Sequence, residues 1–128
     1  MTIAASLTHV AILDDDPSIR TALGRLLEAT EMVVDAYATS NQFFDSLGHK
    51  SPDCLILDLQ MPGMSGLEVL KCLGQQQIRI PTIIITAHAE EGSRAACLNA
   101  GATAYLNKPL DVSQLIRTIM DVSTLAPD

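Results

Sequence analysis

Five short apolar segments, separated by stretches with helical periodicity, constrain the fold of this chain more than any other feature. The segments are VAIL at 10–13, MVVDAY at 32–37, CLIL at 54–57, TIIIT at 82–86 and AYL at 104–106. Most are unbroken apolar runs, which is typical of strands that are covered on both faces. Strands that alternate with helices predict a doubly wound, five-stranded parallel α/β sheet with right-handed crossovers.

Helix signals occupy the stretches between these strands. Asp16 and Pro17 supply an N-cap and a first-turn proline for the first helix, and Ser65 with Glu68 forms a capping box for the third. The predicted inward-facing residues are, helix by helix, Ile19, Ala22, Leu23, Leu26 and Leu27; Phe43, Phe44 and Leu47; Leu67, Leu70 and Leu73; and Val112, Leu115, Ile116 and Ile119.

The second and fourth helices have the shorter apolar stripes. The second is predicted from about Ser40 and ends at Gly48. The fourth, over 90–100, has only Ala95 and Leu98 as clear inward positions. Because elements with few buried contacts change conformation most easily, we expect the fourth helix to be the least anchored.

The predicted strand order is 2-1-3-4-5. In such sheets ligands bind at the carboxyl ends of the strands where the order reverses, here between strands 1 and 3. Asp14 and Asp15 follow strand 1, and Asp58 ends strand 3. Three carboxylates at one edge oppose each other's ionisation unless they share a cation. The all-oxygen set favours Mg²⁺, and the backbone carbonyl of Gln60 is a candidate further ligand.

Two more polar groups reach the same edge. Thr86 ends strand 4, and Lys108 follows strand 5 immediately before Pro109. A hydroxyl and an ammonium group can both bind an oxyanion. Together with a nucleophilic carboxylate and a magnesium ion, they are the parts needed for phosphoryl transfer through an aspartyl phosphate.

Four sequence motifs in this order resemble the receiver domain of two-component response regulators. They are DDD at 14–16, LDLQMPGMSG at 57–66, TA at 86–87 and AYLNKP at 104–109. The resemblance covers about residues 8–124 and implies the flavodoxin-like (βα)5 receiver fold. The sequence segment LGQQQIRIPTIIITAH and its surroundings resemble the FixJ subgroup, in which the receiver precedes a helix-turn-helix output domain. One departure is Leu110, where many receivers carry Phe.

The resemblance implies a role for each matching residue. Asp58 accepts a phosphoryl group from a histidine kinase, while Asp14 and Asp15 hold Mg²⁺ with Asp58 and the Gln60 carbonyl. Thr86 and Lys108 bind the phosphoryl oxygens. Tyr105 is the switch residue that turns inward when Thr86 moves, and the Lys108–Pro109 peptide is expected to be cis. Asp16 matches no ligand position and is expected to be a helix N-cap. His88, two residues after Thr86, is a hypothetical modulator of dephosphorylation.

The implied function is a phosphorylation switch on the surface of the fourth helix, strand 5 and the fifth helix. This surface would control homodimerisation and output. The expected output is transcription, through a C-terminal helix-turn-helix domain outside this chain. One alternative is a stand-alone receiver that docks onto a partner protein. Another is a Mg²⁺-dependent phosphatase of the haloacid dehalogenase type, although Gln60 stands where that class needs a second aspartate. A flavin- or nucleotide-binding domain lacks the expected glycine pattern after strand 1.

Composition sets the remaining expectations. A chain of 128 residues with 48% hydrophobic residues is the size of one domain. We expect a single receiver over 1–128, with an N-terminal tail at 1–7 and the start of a linker at 123–128. The net charge of -7 argues against direct binding to nucleic acid. Three cysteines without metal-ligand spacing indicate free thiols and a cytoplasmic location, and neither a signal peptide nor a membrane span is predicted.

Overall fold

The computed structural model describes residues 7–49 and 51–124, which form one five-stranded parallel sheet with helices on both faces. The strands are β1 (His9–Leu13), β2 (Val33–Tyr37), β3 (Cys54–Asp58), β4 (Thr82–Thr86) and β5 (Ala104–Asn107). The helices are α1 (Pro17–Glu28), α2 (Ser40–Ser46), α3 (Gly66–Gln75), α4 (Ser93–Asn99) and α5 (Val112–Thr124). The strand order is β2-β1-β3-β4-β5, so the predicted fold and order are confirmed.

Every residue of β3 and β4 is buried, which explains why their sequences are unbroken apolar runs. Alternate side chains point to opposite faces and divide the core in two. One face packs against α2, α3 and α4 and includes Leu13, Leu55, Leu57, Ile84, Phe43, Leu70 and Cys97. The other packs against α1 and α5 and includes Ile12, Ile56, Ile83, Ile85, Leu27, Leu115 and Ile119.

Helix α1 begins as the sequence predicts. The Asp16 side chain accepts the backbone N–H of Ser18 at 2.8 Å, and Pro17 is the first helical residue. Helix α3 also has the predicted capping box, because Ser65 and Glu68 exchange side-chain and backbone hydrogen bonds.

The predicted packing of α4 is wrong in detail. The helix is only seven residues long, and its buried residue is Cys97, whereas Ala95 and Leu98 are exposed. A helix of under two turns touches the sheet along one narrow stripe, and Cys97 lies about 100° around the helix from Leu98. Because free cysteine is among the most often buried residues, it takes the inward position here.

Smaller corrections concern α1, α2 and α5. Helix α2 ends at Ser46 rather than Gly48, and the Thr39 hydroxyl caps its first turn. Val112 and Ala22, both predicted to face inward, are exposed. Val112 is the first residue of α5, and the buried residues Leu115 and Ile119 anchor the helix further along.

The remaining predictions concern the two ends of the chain, membrane-spanning helices and the cysteines. Helix α5 continues through Ser123 and Thr124, so the first two residues of the predicted linker are helical. Residues 1–6 of the predicted tail and 125–128 of the predicted linker lie outside the described residues, so these assignments stay predictions. Over 7–49 and 51–124, no helix combines the length and the apolar composition that crossing a bilayer requires. Cys54, Cys72 and Cys97 are free thiols, and burial raises the pKa of Cys54 to about 12.

Candidate functional site

The sheet brings the ends of β1 and β3 side by side. Leu13 is in register with Leu57, so Asp14 and Asp58 follow equivalent positions on neighbouring strands. This is the point where the strand order reverses, because β1 lies between β2 and β3. Both side chains are buried, with Asp14 fully covered and Asp58 4% exposed.

Three carboxylates cluster at this edge. Asp14, Asp15 and Asp58 each offer an oxygen, and these oxygens lie within 4.8 Å of one another. Asp15 is exposed, which leaves the cluster open to solvent on one side. The third residue of the acidic run, Asp16, is instead the N-cap of α1, and its side chain accepts the Ser18 N–H. The DDD run is therefore split between the cluster and a helix start.

Lys108 is the cation that faces this cluster. Its Nζ lies 3.3 Å from Oδ2 of Asp14 and 3.5 Å from Oδ1 of Asp58. The backbone N–H of Lys108 donates to the Thr86 carbonyl at 2.7 Å, which ties the residue to the end of β4. The peptide bond between Lys108 and Pro109 is cis, as predicted. One ammonium group thus meets two buried carboxylates, and a negative charge is left over.

Burial and the neighbouring charges change the acidity of Asp58. Burial away from water and, secondarily, repulsion from Asp14 raise the pKa of Asp58 to about 6. The Lys108 ammonium and the Gln60 backbone N–H, which donates to Oδ1 of Asp58 at 3.4 Å, act in the opposite direction. Asp58 is therefore mostly ionised at neutral pH, and further positive charge beside it would favour the ionised form.

The donor set suits a small divalent cation. Carboxylate oxygens on an open, negatively charged edge are the ligands that Mg²⁺ prefers, and it usually leaves several of its positions to water or phosphate oxygens. Asp14 is also held rigidly, because its Oδ1 accepts the Asp16 N–H at 2.9 Å and its carbonyl accepts Nη1 of Arg20 at 2.8 Å. The residues present therefore fit Mg²⁺.

Thr86 and Gln60 meet on the other side of Asp58. The Thr86 hydroxyl lies 3.0 Å from Oε1 of Gln60 and 3.1 Å from the His88 carbonyl, and it accepts the His88 N–H at 3.1 Å. Thr86 is fully buried. The predicted ligand role of the Gln60 carbonyl remains a prediction. His88 reaches Thr86 through its backbone, and its side chain is exposed.

Tyr105 lies farther from the acids, in the middle of β5. Its ring is buried, and its hydroxyl is 2.9 Å from the Ser93 hydroxyl at the start of α4. Strand register pairs Tyr105 with Ile84 and places Asn107 opposite Thr86. The predicted switch residue thus connects β5 to the first residue of α4.

Sequence reasoning missed three contributions to this region. Arg20 on the Asp14 carbonyl, Ser93 on Tyr105, and the side-chain amide of Gln60 were not singled out. Position 20 falls in the first turn of α1, close to the acids, and that spacing was the available signal for Arg20. The other two depend on loop conformation, for which the sequence contains no periodic signal.

Fold and site together define a parallel α/β domain with an acidic, lysine-bearing site at the switch point of its sheet. The chain belongs to the response regulator receiver domain family, whose model matches residues 10–120. It is 37% identical over 108 residues to the DNA-binding transcriptional regulator NtrC of Klebsiella pneumoniae, covering 84% of this chain and 23% of that protein.

Two further comparisons agree with this assignment. The response regulator protein TodT of Pseudomonas putida is 32% identical over 118 residues, covering 92% of this chain and 52% of TodT. The crystal structure of FixJ-N superposes with a TM-score of 0.88 at 29% identity, covering 96% of this chain and 98% of the other. The chain thus spans less than a quarter of NtrC and about half of TodT.

Proposed function

We propose that this receiver domain takes a phosphoryl group onto Asp58 from the phosphohistidine of a histidine kinase. The observation that supports this most strongly is the buried Asp58 carboxylate, clustered with Asp14 and Asp15 and facing the Lys108 ammonium at 3.5 Å. An Asp58 oxygen attacks phosphorus, the O–P bond forms as the donor N–P bond breaks, and the electron pair of that bond stays on the imidazole nitrogen.

The other site residues bind and orient in this proposal. Lys108 pairs with a phosphoryl oxygen, and the Thr86 hydroxyl donates to another after it leaves its present partners. Asp14, Asp15, Asp58 and the Gln60 carbonyl hold Mg²⁺. When bound, Mg²⁺ supplies positive charge that keeps Asp58 ionised and neutralises the phosphoryl oxygens. The chain acts as a phosphoacceptor rather than as an enzyme with external turnover.

Phosphorylation then biases the surface formed by α4, β5 and α5. Helix α4 is short and held by Cys97, its start carries no side-chain cap, and its first residue bonds to Tyr105. Such an element shifts at low cost when Thr86 moves toward the phosphoryl group. To convert a mostly inactive population to a mostly active one, the phosphoryl group must stabilise the active conformation about 5 kcal/mol more than the inactive one. Homodimerisation through this surface is the proposed first consequence.

The output step is proposed from the relatives. NtrC is a DNA-binding transcriptional regulator, and this chain matches less than a quarter of it. A net charge of -7 argues against direct binding of the receiver itself to DNA. We therefore assign DNA binding to a separate output domain, such as a helix-turn-helix domain, in a longer protein. Docking of a stand-alone receiver onto a partner is the alternative outcome.

The phosphatase alternative has less support. An aspartyl phosphatase of the haloacid dehalogenase type needs an acid two residues after its nucleophile, and that position is Gln60. Its amide is engaged with Thr86 and with the His88 carbonyl, and an amide does not transfer protons at neutral pH.

The acidic run offers a matched test of the metal site. Asp15→Asn removes an oxygen of the cluster and is expected to weaken Mg²⁺ binding at least about tenfold, a loss seen even for groups that only support a ligand. Asp16→Asn should bind Mg²⁺ like the wild type, because Asn is an equally good N-cap. Isothermal titration with MgCl₂ measures both affinities, and labelling by acetyl phosphate should stop when a chelator is added.

Equal Mg²⁺ affinity in the two variants would remove Asp15 from the metal site. Labelling that continues unchanged in chelator would contradict the role of the cation altogether.

A further inference from the structure

The side chain of Gln60 joins two loops at the proposed phosphorylation site. Its Nε2 donates to the His88 carbonyl at 3.0 Å, and its Oε1 accepts the Thr86 hydroxyl proton at 3.0 Å. Gln60 follows β3, whereas Thr86 ends β4 and His88 lies in the loop after it. A single amide group therefore uses both of its ends to fasten the loop after β4 to the loop after β3.

These bonds engage the single proton of the Thr86 hydroxyl. A hydroxyl has one proton to donate, and here it is shared between Oε1 of Gln60 and the His88 carbonyl, while the oxygen accepts the His88 N–H. Thr86 is fully buried, so water cannot readily replace a lost partner. To donate to a phosphoryl oxygen on Asp58, Thr86 must release both Oε1 of Gln60 and the His88 carbonyl, and of these two acceptors Gln60 is the side chain.

The loop between β4 and α4 has little else to hold it. Residues 87–92 are all exposed, and Gly92, with φ of 81°, precedes α4 without a side-chain cap. Beyond the loop, the Ser93–Tyr105 hydroxyl pair connects the start of α4 to β5. At the upstream end of this loop, the amide of Gln60 adds a bond from the β3 side to the two bonds that the Thr86 hydroxyl makes with the His88 backbone. At its downstream end lies the Ser93–Tyr105 pair.

We propose that the Gln60 side chain is a positioning residue that holds Thr86 and the 87–92 loop in the unphosphorylated arrangement, and so raises the threshold for switching. This proposal rests on the proposed function, since it needs a phosphoryl group that Thr86 leaves Gln60 to meet. The role belongs to the side chain alone and is separate from the metal-ligand role proposed for the Gln60 carbonyl.

Gln60→Met separates the two roles, because it keeps the backbone and the side-chain length and removes both hydrogen bonds. The test is a titration of the Mg²⁺-loaded protein with beryllofluoride, a mimic of the phosphoryl group. The NMR chemical shifts of residues near Thr86 report the fraction of protein that has bound it. Loss of these partly exposed bonds is expected to lower the half-saturating concentration about twofold to fivefold. Amide hydrogen exchange of residues 87–92 in the unliganded protein should become faster.

Gln42→Met is the matched control. Gln42 is also an exposed glutamine whose amide bonds to the backbone, here by accepting the Ala38 N–H at 3.1 Å, but it does not touch Thr86. It should titrate like the wild type. In a Thr86→Ala background, Gln60→Met should lose its effect on the titration, because the hydroxyl that the amide restrains is gone.

The outcomes are distinguishable. A wild-type protein that shows no Mg²⁺-dependent response to beryllofluoride would overturn the proposed function together with this inference. A wild-type response that Gln60→Met reproduces at the same or higher concentrations, with unchanged exchange in 87–92, would overturn the restraint by Gln60 and leave the proposed function standing.

Discussion

Gly66→Ala is expected to lower the free energy of unfolding by about 2–3 kcal/mol, the cost of overpacking a closely packed position. A Cβ at Gly66 would lie 2.5 Å from the Asp58 carbonyl oxygen and 2.8 Å from the Leu59 Cα. Both atoms belong to the backbone, so neither can move away cheaply. The Gly66 N–H also donates to the Leu59 carbonyl at 2.9 Å, which fixes this close approach.

Urea unfolding with the matched variant Gly24→Ala measures this effect. Gly24 lies within α1, and a Cβ there would meet nothing within 4 Å. Alanine should therefore stabilise the protein at that position by about 0.5–1 kcal/mol through its higher helix propensity. If Gly66→Ala proved as harmless as Gly24→Ala, the loop after Asp58 would not be packed as tightly as the structure has it.

Asp58→Asn is expected to stabilise the metal-free protein at pH 7 by on the order of 2 kcal/mol. Since the pKa of Asp58 is raised to about 6, holding its charge in the folded protein costs free energy at neutral pH. The amide removes that charge and keeps the shape, and Lys108 retains its ion pair with Asp14 at 3.3 Å.

The pH dependence has a defined sign. Between the ordinary aspartate pKa of 3.8 and about 6, the folded protein binds more protons than the unfolded chain at this residue, so its contribution to stability falls as pH rises. The gap between Asp58→Asn and the wild type should therefore be largest at pH 7 and close toward pH 4. Urea unfolding in chelator across this range tests it, with Asp16→Asn as the control. A constant gap would contradict the raised pKa.

Much of the fold was predictable because strands buried on both faces leave unbroken apolar runs. β3 and β4 are of this kind, and the alternation of five strands with helices indicated the parallel sheet with its switch point between strands 1 and 3. From there, Asp14, Asp58 and Lys108 could be expected at one edge, since the carboxyl ends of parallel strands meet there. The N-cap role of Asp16 was equally predictable, because local hydrogen bonding decides it.

Two kinds of feature could not be predicted: the rotation of a short helix about its own axis, and the contacts that loops make. The sequence indicated Ala95 and Leu98 as the inward face of the short α4, whereas Cys97 is the buried residue. The amide of Gln60 and the Ser93–Tyr105 pair connect segments far apart in the chain. Such contacts follow from loop conformations that no apolar period encodes, and only the folded chain brings them together.

The charge balance links the fold to the proposed chemistry. Three carboxylate groups and one ammonium group meet at the switch point, so the cluster carries excess negative charge. A protein that needed only stability would gain from removing one of these acids. We infer that the excess negative charge serves to bind a cation, which is then present when the phosphoryl group arrives.

The most direct test of this account is the transfer of phosphoryl groups from acetyl phosphate in the presence of Mg²⁺, measured by intact-protein mass spectrometry on the wild type and on Asp58→Asn. The wild type should gain a phosphoryl group, and the folded Asp58→Asn variant should gain none. Labelling of Asp58→Asn at the wild-type rate would place the acceptor at another residue and contradict the central claim.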